Sequence, residues 1–194
     1  MKDGPGIVSF MKAYSFATIV TVENNLPTAT HLPFVITETE NGIVLSAHFA
    51  KANNQWKQLT NSKVLVIYAE PHAYISPKHY DSELNVPTWN YISVHTYGMA
   101  TVITDDAGGI AELEKMIAVY EADYLPQWKK LPEEMKLKLL NAIVPFTIAV
   151  EDIQAKEKLS QNKNKDERKR IVESLQNSDQ STEQAIGAFM LKDL

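Results

Sequence analysis

Residues 15–36, SFATIVTVENNLPTATHLPFVI, have the pattern of a β-hairpin. Residues 15–22 are rich in β-branched and aromatic side chains, and Glu23-Asn24-Asn25 is typical of a turn. Residues 27–36 then have the composition of a second strand. Because a short turn joins strands in antiparallel order, this stretch indicates an antiparallel sheet.

The sequence on both sides of the hairpin adds strands and helices. Upstream, a short segment with helical spacing contains Ile7, Val8, Phe10, Met11 and Tyr14. Downstream, strands are predicted at residues 42–48, 63–69, 89–104 and 146–153. Helices are predicted at residues 50–59 and 105–121, from Pro132 as a first helical residue, and in the tail after Asn164. Hairpin signals dominate and regular strand–helix–strand alternation is missing, which favours a mainly β fold with helical additions over a parallel α/β sheet.

Three local patterns give sharper expectations. Residues 89–104 alternate over one long strand, with Tyr91 and His95 on one face and Ile92 and Val94 on the other. Prolines bracket a middle segment that we expect to be irregular and that includes residues 72–76. Two pairs resemble helix capping boxes, namely Asn164 with Glu167 and Ser181 with Gln184.

Composition narrows the class of protein. The chain has 194 residues, of which 44% are hydrophobic and 22% charged, as in a globular protein of one domain or of a domain with an appendage. No apolar run approaches the roughly 18 residues of a membrane helix, and residues 1–6 lead into a segment without the apolar core of a secretory signal. The absence of cysteine excludes disulfides and thiolate metal sites. We therefore expect a cytoplasmic protein with no membrane partner.

The charge pattern bears on nucleic-acid binding. The net charge is −5, and the most basic stretch, residues 156–170, is interrupted by acidic residues. A solvated helix face explains this stretch better than contact with DNA phosphates, although both interpretations stay open. We expect no specific DNA binding by this chain alone.

Polar side chains gather around the predicted strand at residues 42–48. Ser46 and His48 share one face of that strand, and Lys51 and Asn53 follow where the next helix is predicted to start. Unpaired N–H groups at a helix start, together with a lysine, suit a phosphate group. A polar rim that binds nothing is the alternative. The full set is Thr30, His31, Ser46, His48, Lys51, Asn53 and Trp56.

Aromatic residues form two further groups, at residues 72–80 and 86–91, the second leading to His95 and Tyr97. Rings with a few polar groups suit a flat heterocycle, but a core or a dimer interface would use the same residues. The histidines form none of the common metal-binding spacings, so we expect no metal site. Neither common nucleotide-binding loop nor a GxSxG nucleophile motif is present, and no catalytic residue can be assigned.

Blocks of sequence resemble the PaiB-type FMN-binding negative transcriptional regulator family in order and spacing. They extend from about residue 15 to residue 162. The blocks are SFAT (15–18), ATHLP (29–33), HFAKAN (48–53) with Trp56, PHAYISP (71–77), VPTWNY (86–91), VH (94–95), YG (97–98) and KLSQN (158–162). Two positions depart from the family pattern, since Asn54 replaces a common Pro and Ala155 replaces a common Gly. Both changes alter what the local backbone prefers.

The resemblance implies an antiparallel FMN-binding split β-barrel, similar to pyridoxamine-phosphate oxidase and the flavin reductases, that works as a homodimer. Three residues would border the flavin ring: Thr30, His31 and Leu32. Four would approach its phosphate: Ser46, His48, Lys51 and Asn53. The rest of the pocket would come from Trp89, Tyr91, His95, Lys158, Ser160, Gln161 and Asn162, with the partner subunit as one source.

The resemblance also implies a division of the chain and a choice of functions. Residues 1–162 would form the split-barrel domain, and residues 163–194 a helical extension packed on the barrel or on the partner. The family name implies a transcriptional regulator. An FMN-dependent oxidoreductase acting on a small molecule and a haem-binding split barrel are the alternatives.

Overall fold

The computed structural model describes residues 4–60, 62–192 and 194. Residues 1–3, which begin the segment searched for a secretory signal, lie outside the described residues. The strands are β1 Phe16–Glu23, β2 Leu26–Pro33, β3 Val35–Thr39, β4 Gly42–Ala50, β5 Val64–Tyr68, β6 His72–Ile75, β7 Thr88–Val102 and β8 Ile143–Lys158. The α-helices are α1 Gly4–Ala13, α2 Asp106–Tyr120, α3 Leu125–Lys130, α4 Glu133–Leu140, α5 Lys165–Gln176 and α6 Ser181–Leu191. Short 3₁₀ helices lie at Asn54–Gln58, Pro77–His79 and Ala122–Tyr124.

The predicted hairpin is confirmed. β1 and β2 pair antiparallel, from Phe16 opposite Pro33 to Glu23 opposite Leu26. Asn24 and Asn25 between them have φ angles of 52° and 63°, and asparagine tolerates this left-handed region better than most residues. Two consecutive residues with positive φ match the twist that a two-residue hairpin loop needs.

The second strand of the hairpin is shorter than predicted. Residues 27–36 contain nearly all of β2, the start of β3 and Phe34 between them. Phe34 is fully buried, and its ring lies edge-on to Tyr68 and Phe146, with centroids 6.3 and 6.4 Å away. The prediction of a single long strand was wrong, because packing in the core redirects the chain at this residue. Local composition does not reveal that packing.

The eight strands form a sheet in the order β2-β1-β5-β7-β8-β4-β3, with β6 paired to β7 outside this path. Antiparallel registers join β1 to β2 and β5, β4 to β3 and β8, and β6 to β7. Along β7, Asn90, Ile92, Val94 and Thr96 are buried while their neighbours are partly exposed. The predicted antiparallel sheet and the predicted alternation of this long strand are confirmed.

The described residues fall into two compact units, which we call the larger unit (residues 4–68 and 95–154) and the smaller unit (residues 69–94 and 155–194). Fully buried side chains of the larger unit include Ile19, Leu45, Phe49, Val66 and Phe146. Those of the smaller unit include Ile92, Leu159, Ile171, Ile186 and Met190. Helices α5 and α6 belong to the smaller unit, and the division at residue 162 stays a prediction.

Most predicted helices are present. α1, α2 and α4 form close to their predicted positions, and α2 has Asp105 as its N-cap, whose Oδ1 accepts from the N–H of Gly108 at 2.7 Å. The Asn164–Glu167 capping box at the start of α5 is confirmed in both directions. Pro132, predicted as a first helical residue, is instead the N-cap of α4, because its ψ of 141° is not helical.

Three other local predictions were wrong. The helix predicted at residues 50–59 is a 3₁₀ helix that begins only at Asn54. Residues 72–76, predicted to be irregular, contain β6, which pairs with the start of β7. α6 has no capping box, since Ser181 is already helical and Gln184 Nε2 donates to the carbonyl of Ser178 at 2.7 Å. Within residues 4–60, 62–192 and 194, no helix is long and apolar enough to cross a membrane.

Candidate functional site

Thr30 and Asn53, predicted to contact the flavin, meet in the larger unit. Asn53 follows β4 and caps the 3₁₀ helix, with its Oδ1 accepting from the N–H of Gln55 at 3.1 Å. Its Nδ2 donates to Thr30 Oγ1 at 2.9 Å, and Thr30 Oγ1 donates to Gln55 Oε1 at 2.5 Å. Gln55, which is 2% exposed, also donates to the carbonyl of Thr28 at 2.9 Å. These bonds fix the loop after β4 against the β1–β2 hairpin.

Ser46 and His48 lie on one face of β4, as predicted, because they are two residues apart. Ser46 is buried, and its Oγ accepts from Lys115 Nζ of α2 at 3.1 Å. Lys115 also lies 3.4 Å from a carboxylate oxygen of Glu112. Burial lowers the pKa of His48 below its usual 6.5, so the imidazole is neutral near pH 7 and can accept a hydrogen bond at one nitrogen.

Lys51 is exposed in the turn after β4. Its N–H donates to the carbonyl of Ala142 at 2.8 Å, and its side chain lines a cavity of about 260 Å³. Asp105 and Asp106 line the same cavity. The prediction that Lys51 lies at a helix start was wrong, since the 3₁₀ helix begins at Asn54 and one of its first N–H groups is already bonded to Asn53.

Adjacent residues of β2 face opposite ways. Thr30 and Leu32 share the inner face, where Leu32 is 8% exposed, whereas His31 lies on the outer face. The His31 ring stacks on the exposed Phe16, with centroids 6.2 Å apart. The side chains of the predicted Thr30-His31-Leu32 group therefore cannot all face one ligand. His95, the eighth predicted residue in this unit, is partly exposed on β7.

In the smaller unit, Trp89 and Tyr91 lie on the outward face of β7. Trp89 is 53% exposed and packs against two residues of β6. Its ring lies 5.9 Å from His72 and 5.7 Å from Tyr74, measured between centroids. Tyr91 pairs with His72 in the strand register. This aromatic surface can stack against a flat ring.

Residues 158–162 form the turn after β8 in the same unit. Lys158 Nζ donates to Thr88 Oγ1, and the buried Ser160 donates from Oγ to Asn90 Oδ1 at 3.1 Å. Ser160 has a φ of 56°. Gln161 is bonded within the turn, accepting from the N–H of Leu159 and donating to the carbonyl of Glu157. Asn162 is exposed and lines a cavity with the other three predicted residues of this turn.

The fourteen predicted cofactor-binding residues thus divide between the two units. The larger unit holds Thr30, His31, Leu32, Ser46, His48, Lys51, Asn53 and His95. The smaller unit holds Trp89, Tyr91, Lys158, Ser160, Gln161 and Asn162. Four residues that bond to members of these groups were not predicted as site residues, namely Gln55, Thr88, Asn90 and Lys115. Gln55 lies two residues after Asn53 and could have been predicted from the sequence. A side chain that caps a turn bonds to the backbone two or three residues ahead.

A metal site finds no geometric support in the part of the chain that the structure describes, where no group of three His, Asp or Glu side chains could hold an ion. The predicted site residues provide amide, hydroxyl, imidazole and ammonium groups beside aromatic rings. Such groups bind and orient a polar flat molecule.

Comparison with known proteins decides the family. Residues 1–152 match the family model described as "Putative FMN-binding domain". The chain belongs to this FMN-binding family. The "Protease synthase and sporulation protein PAI 2" of Bacillus subtilis is 40% identical over 187 residues, which cover 95% of this chain and 89% of that protein. The resemblance to the PaiB-type family is confirmed.

Solved structures support the fold. The flavocytochrome Anf3 from Azotobacter vinelandii superposes with a TM-score of 0.65 at 17% identity, covering 81% of this chain and 68% of that one. The FAD and heme binding protein from Mycobacterium smegmatis gives 0.66 at 16% identity, covering 87% and 77%. The predicted fold, a mainly antiparallel flavin-binding split β-barrel with helices, is confirmed, and FMN is the cofactor to which the family assignment points.

The residues present fit the parts of FMN. An exposed indole and its aromatic neighbours suit the isoalloxazine ring, and lysine, serine and amide side chains suit ring oxygens and a phosphate. Bound FMN would supply redox chemistry at its ring, and these residues would hold and orient it.

Proposed function

We propose that this chain is a PaiB-type transcriptional regulator that holds FMN as a homodimer. The observation that carries the proposal is the match of residues 1–152 to an FMN-binding family, joined to 40% identity with the PAI 2 protein over nearly the full chain. The cytoplasmic location expected from the sequence is part of the same proposal. An absorption spectrum of the purified protein tests it: flavin bands support FMN, whereas a haem Soret band contradicts it.

Within this proposal, the FMN phosphate lies at Lys51, with Ser46, His48 and Asn53 nearby. The ring borders Thr30 and Leu32 on the inner face of β2, and His95 of the same unit contributes to the pocket. The 3₁₀ helix has only five residues, so it adds little to phosphate binding, and the lysine charge is the main attraction.

Lys51→Ala tests the placement of the phosphate. A charge-assisted hydrogen bond contributes about 1.5–3 kcal/mol, so we expect FMN affinity to fall about tenfold to a hundredfold. Riboflavin, which lacks the phosphate, should lose little. Lys57→Ala, an exposed lysine on the neighbouring 3₁₀ helix, is the control. Flavin fluorescence quenching measures both ligands, and an unchanged FMN affinity in Lys51→Ala would refute this role for Lys51 while leaving FMN binding itself untouched.

The outer face of the β1–β2 hairpin supports a homodimer. Phe16 and Val22 on β1 are 68% and 48% exposed. They share this face with Val20, and the opposite residues on β2 include Pro27 and Ala29. Large apolar side chains that stay in water in one chain are stabilised when a second copy covers them.

The dimer is tested by placing a charge in this face. Val22→Lys should shift the protein from dimer to monomer in light scattering at micromolar concentration. Val119→Lys, a change at an exposed valine of α2, is the matched control and should stay dimeric. A monomeric wild-type protein would contradict the proposal.

Regulation by this chain alone through specific DNA contacts is not expected. The basic stretch before and within α5 is partly neutralised: Arg170 lies 2.5 Å from Asp81, and Lys169 lies 3.7 Å from Asp166. Paired cations release few counterions from DNA, so binding should be weak and salt-sensitive. We infer that regulation acts through a partner protein, and a gel shift that survives competitor DNA at physiological salt would overturn this inference.

A further inference from the structure

A cavity of about 350 Å³ lies in the smaller unit between two loops, residues 80–88 and residues 158–163. Its size is within the range of small-molecule sites. Its lining is mostly polar and carries two lysines. The residues that line it are Tyr80, Asn85, Val86, Thr88, Lys158, Ser160, Gln161, Asn162 and Lys163.

Both lysines are held by uncharged partners. Lys158 donates to the hydroxyl of Thr88, and Lys163 donates to Asn85 Oδ1 at 2.8 Å. Lys163 also lies 3.7 Å from the ring centroid of Tyr80, a cation–π contact. These neutral partners orient the two ammonium groups without cancelling their charge.

Two neighbouring carboxylates, Asp81 and Glu167, are engaged with other groups. Asp81 binds the guanidinium of Arg170 at 2.5 Å and the amide of Asn164 at 2.8 Å. Glu167 accepts from the N–H of Asp81 and the N–H of Asn164. The same bonds tie the loop beside Tyr80 to α5, so this wall of the cavity is fixed and these two carboxylates do not pair with the lysines.

The second wall is held in an unfavourable backbone conformation. Ser160 is 5% exposed, and its φ of 56° lies in the left-handed region that a serine rarely adopts. Its hydroxyl donates to the buried Asn90, which keeps the turn in place. Strained residues of this kind concentrate at ligand sites, where the fold fixes groups for binding.

We propose that this cavity binds the phosphate group of a small phosphorylated molecule. A phosphate monoester carries a charge near −2 at neutral pH, which matches two lysines that pair with no carboxylate among the described residues. The family-model match ends at residue 152, but residues 158–162 belong to the blocks that resemble the PaiB-type family, so FMN is one source of such a phosphate. The site is built within the smaller unit and does not depend on the phosphate placement at Lys51.

Titration of the full chain with inorganic phosphate tests the proposal. We expect saturable binding by calorimetry, and a fall in affinity of about tenfold to a hundredfold in Lys158→Met and in Lys163→Met, because each loses one charge-assisted contact. Methionine keeps the length of the side chain, and thermal unfolding without phosphate checks that each variant folds. Lys156→Met, at an exposed lysine of the same strand β8, is the control and should bind phosphate normally.

Adding flavins identifies the source of the phosphate. Displacement of inorganic phosphate by FMN but not by riboflavin supports the site with FMN as its ligand. Phosphate binding that is unchanged by saturating FMN supports the site with a separate phosphorylated ligand. Equal phosphate affinity in wild type, Lys158→Met and Lys163→Met overturns the proposal. Failure of the protein to bind any flavin would count against the proposed function only, since inorganic phosphate reports on this cavity directly.

Discussion

Replacing Tyr68 by phenylalanine should stabilise the protein. Tyr68 ends β5 in the larger unit with no exposed surface, and its hydroxyl has no hydrogen-bond partner among the described residues. A buried polar group without a partner costs about 1–3 kcal/mol, whereas loss of one oxygen leaves only a small gap in the packing. We expect a net gain of about 1 kcal/mol, which raises the unfolding midpoint by roughly 2–4 °C for a chain of this size.

Tyr120 provides the matched control. Its hydroxyl lies 2.9 Å from both Ser15 Oγ and the carbonyl oxygen of Phe34, so it is bonded where Tyr68 is not. Tyr120→Phe should therefore lower stability by about 1 kcal/mol. Calorimetry or urea unfolding of the three proteins measures both effects. A Tyr68→Phe variant that is less stable than wild type by 1 kcal/mol would refute the reasoning, because the hydroxyl must then have a favourable partner.

Alkaline pH gives a second measurement of the same hydroxyl. Burial, with the charge of Tyr120 as a smaller cause, raises the pKa of Tyr68 well above its usual 10.0. The unfolded chain loses this proton above pH 10 while the folded chain keeps it, so the stabilising contribution is complete below pH 10 and declines above it. The decline approaches about 1.4 kcal/mol per pH unit from this group. Tyr68→Phe should lack that part of the slope.

Three further predictions concern other parts of the fold. Gly98→Ala should destabilise by about 3 kcal/mol in urea unfolding, since a Cβ there would lie 2.0 Å from the carbonyl oxygen of Ala149. Asn164→Ala removes the side chain that caps α5 and should cost about 1 kcal/mol by the same assay. His48 has a lowered pKa, so the unfolded chain takes up its proton first as pH falls below 6.5, and stability drops in that window. His48→Gln should flatten the decline between pH 6.5 and 5 in thermal unfolding.

The structural elements that were predicted correctly from the sequence are those that neighbouring residues specify. Three features depend on residues within a few positions of one another. They are the two-residue turn with asparagines, the alternating burial of side chains along β7, and the capping box of Asn164 with Glu167. The end of β2 and the start of β3 depend instead on Phe34 entering a core built by Tyr68 and Phe146. These packing partners lie 34 and 112 positions away from Phe34 in sequence, so local composition cannot predict the packing.

The candidate site shows the same limit. Ser46 bonds to Lys115, and Lys158 bonds to Thr88, pairs separated by 69 and 70 residues. Spacing identified one member of each pair, but only the folded chain identifies the other. Tyr80 was predicted only as one member of an aromatic group, and Lys163 was not predicted as a binding residue, since their contact joins two loops that are distant in sequence.

Electrostatics distinguishes the two lysine-lined cavities as phosphate sites. Lys51 shares its cavity with Asp105 and Asp106, so a phosphate dianion there meets one cation and two carboxylates. Among the described residues, none that lines the cavity of Lys158 and Lys163 is acidic. Because like charges in a partly desolvated site repel, the second cavity should bind a free phosphate ion more tightly than the first. At Lys51, contacts to the rest of the flavin must offset this repulsion. The comparison of FMN with riboflavin is therefore the decisive measurement for Lys51. Inorganic phosphate is the decisive probe for Lys158 and Lys163.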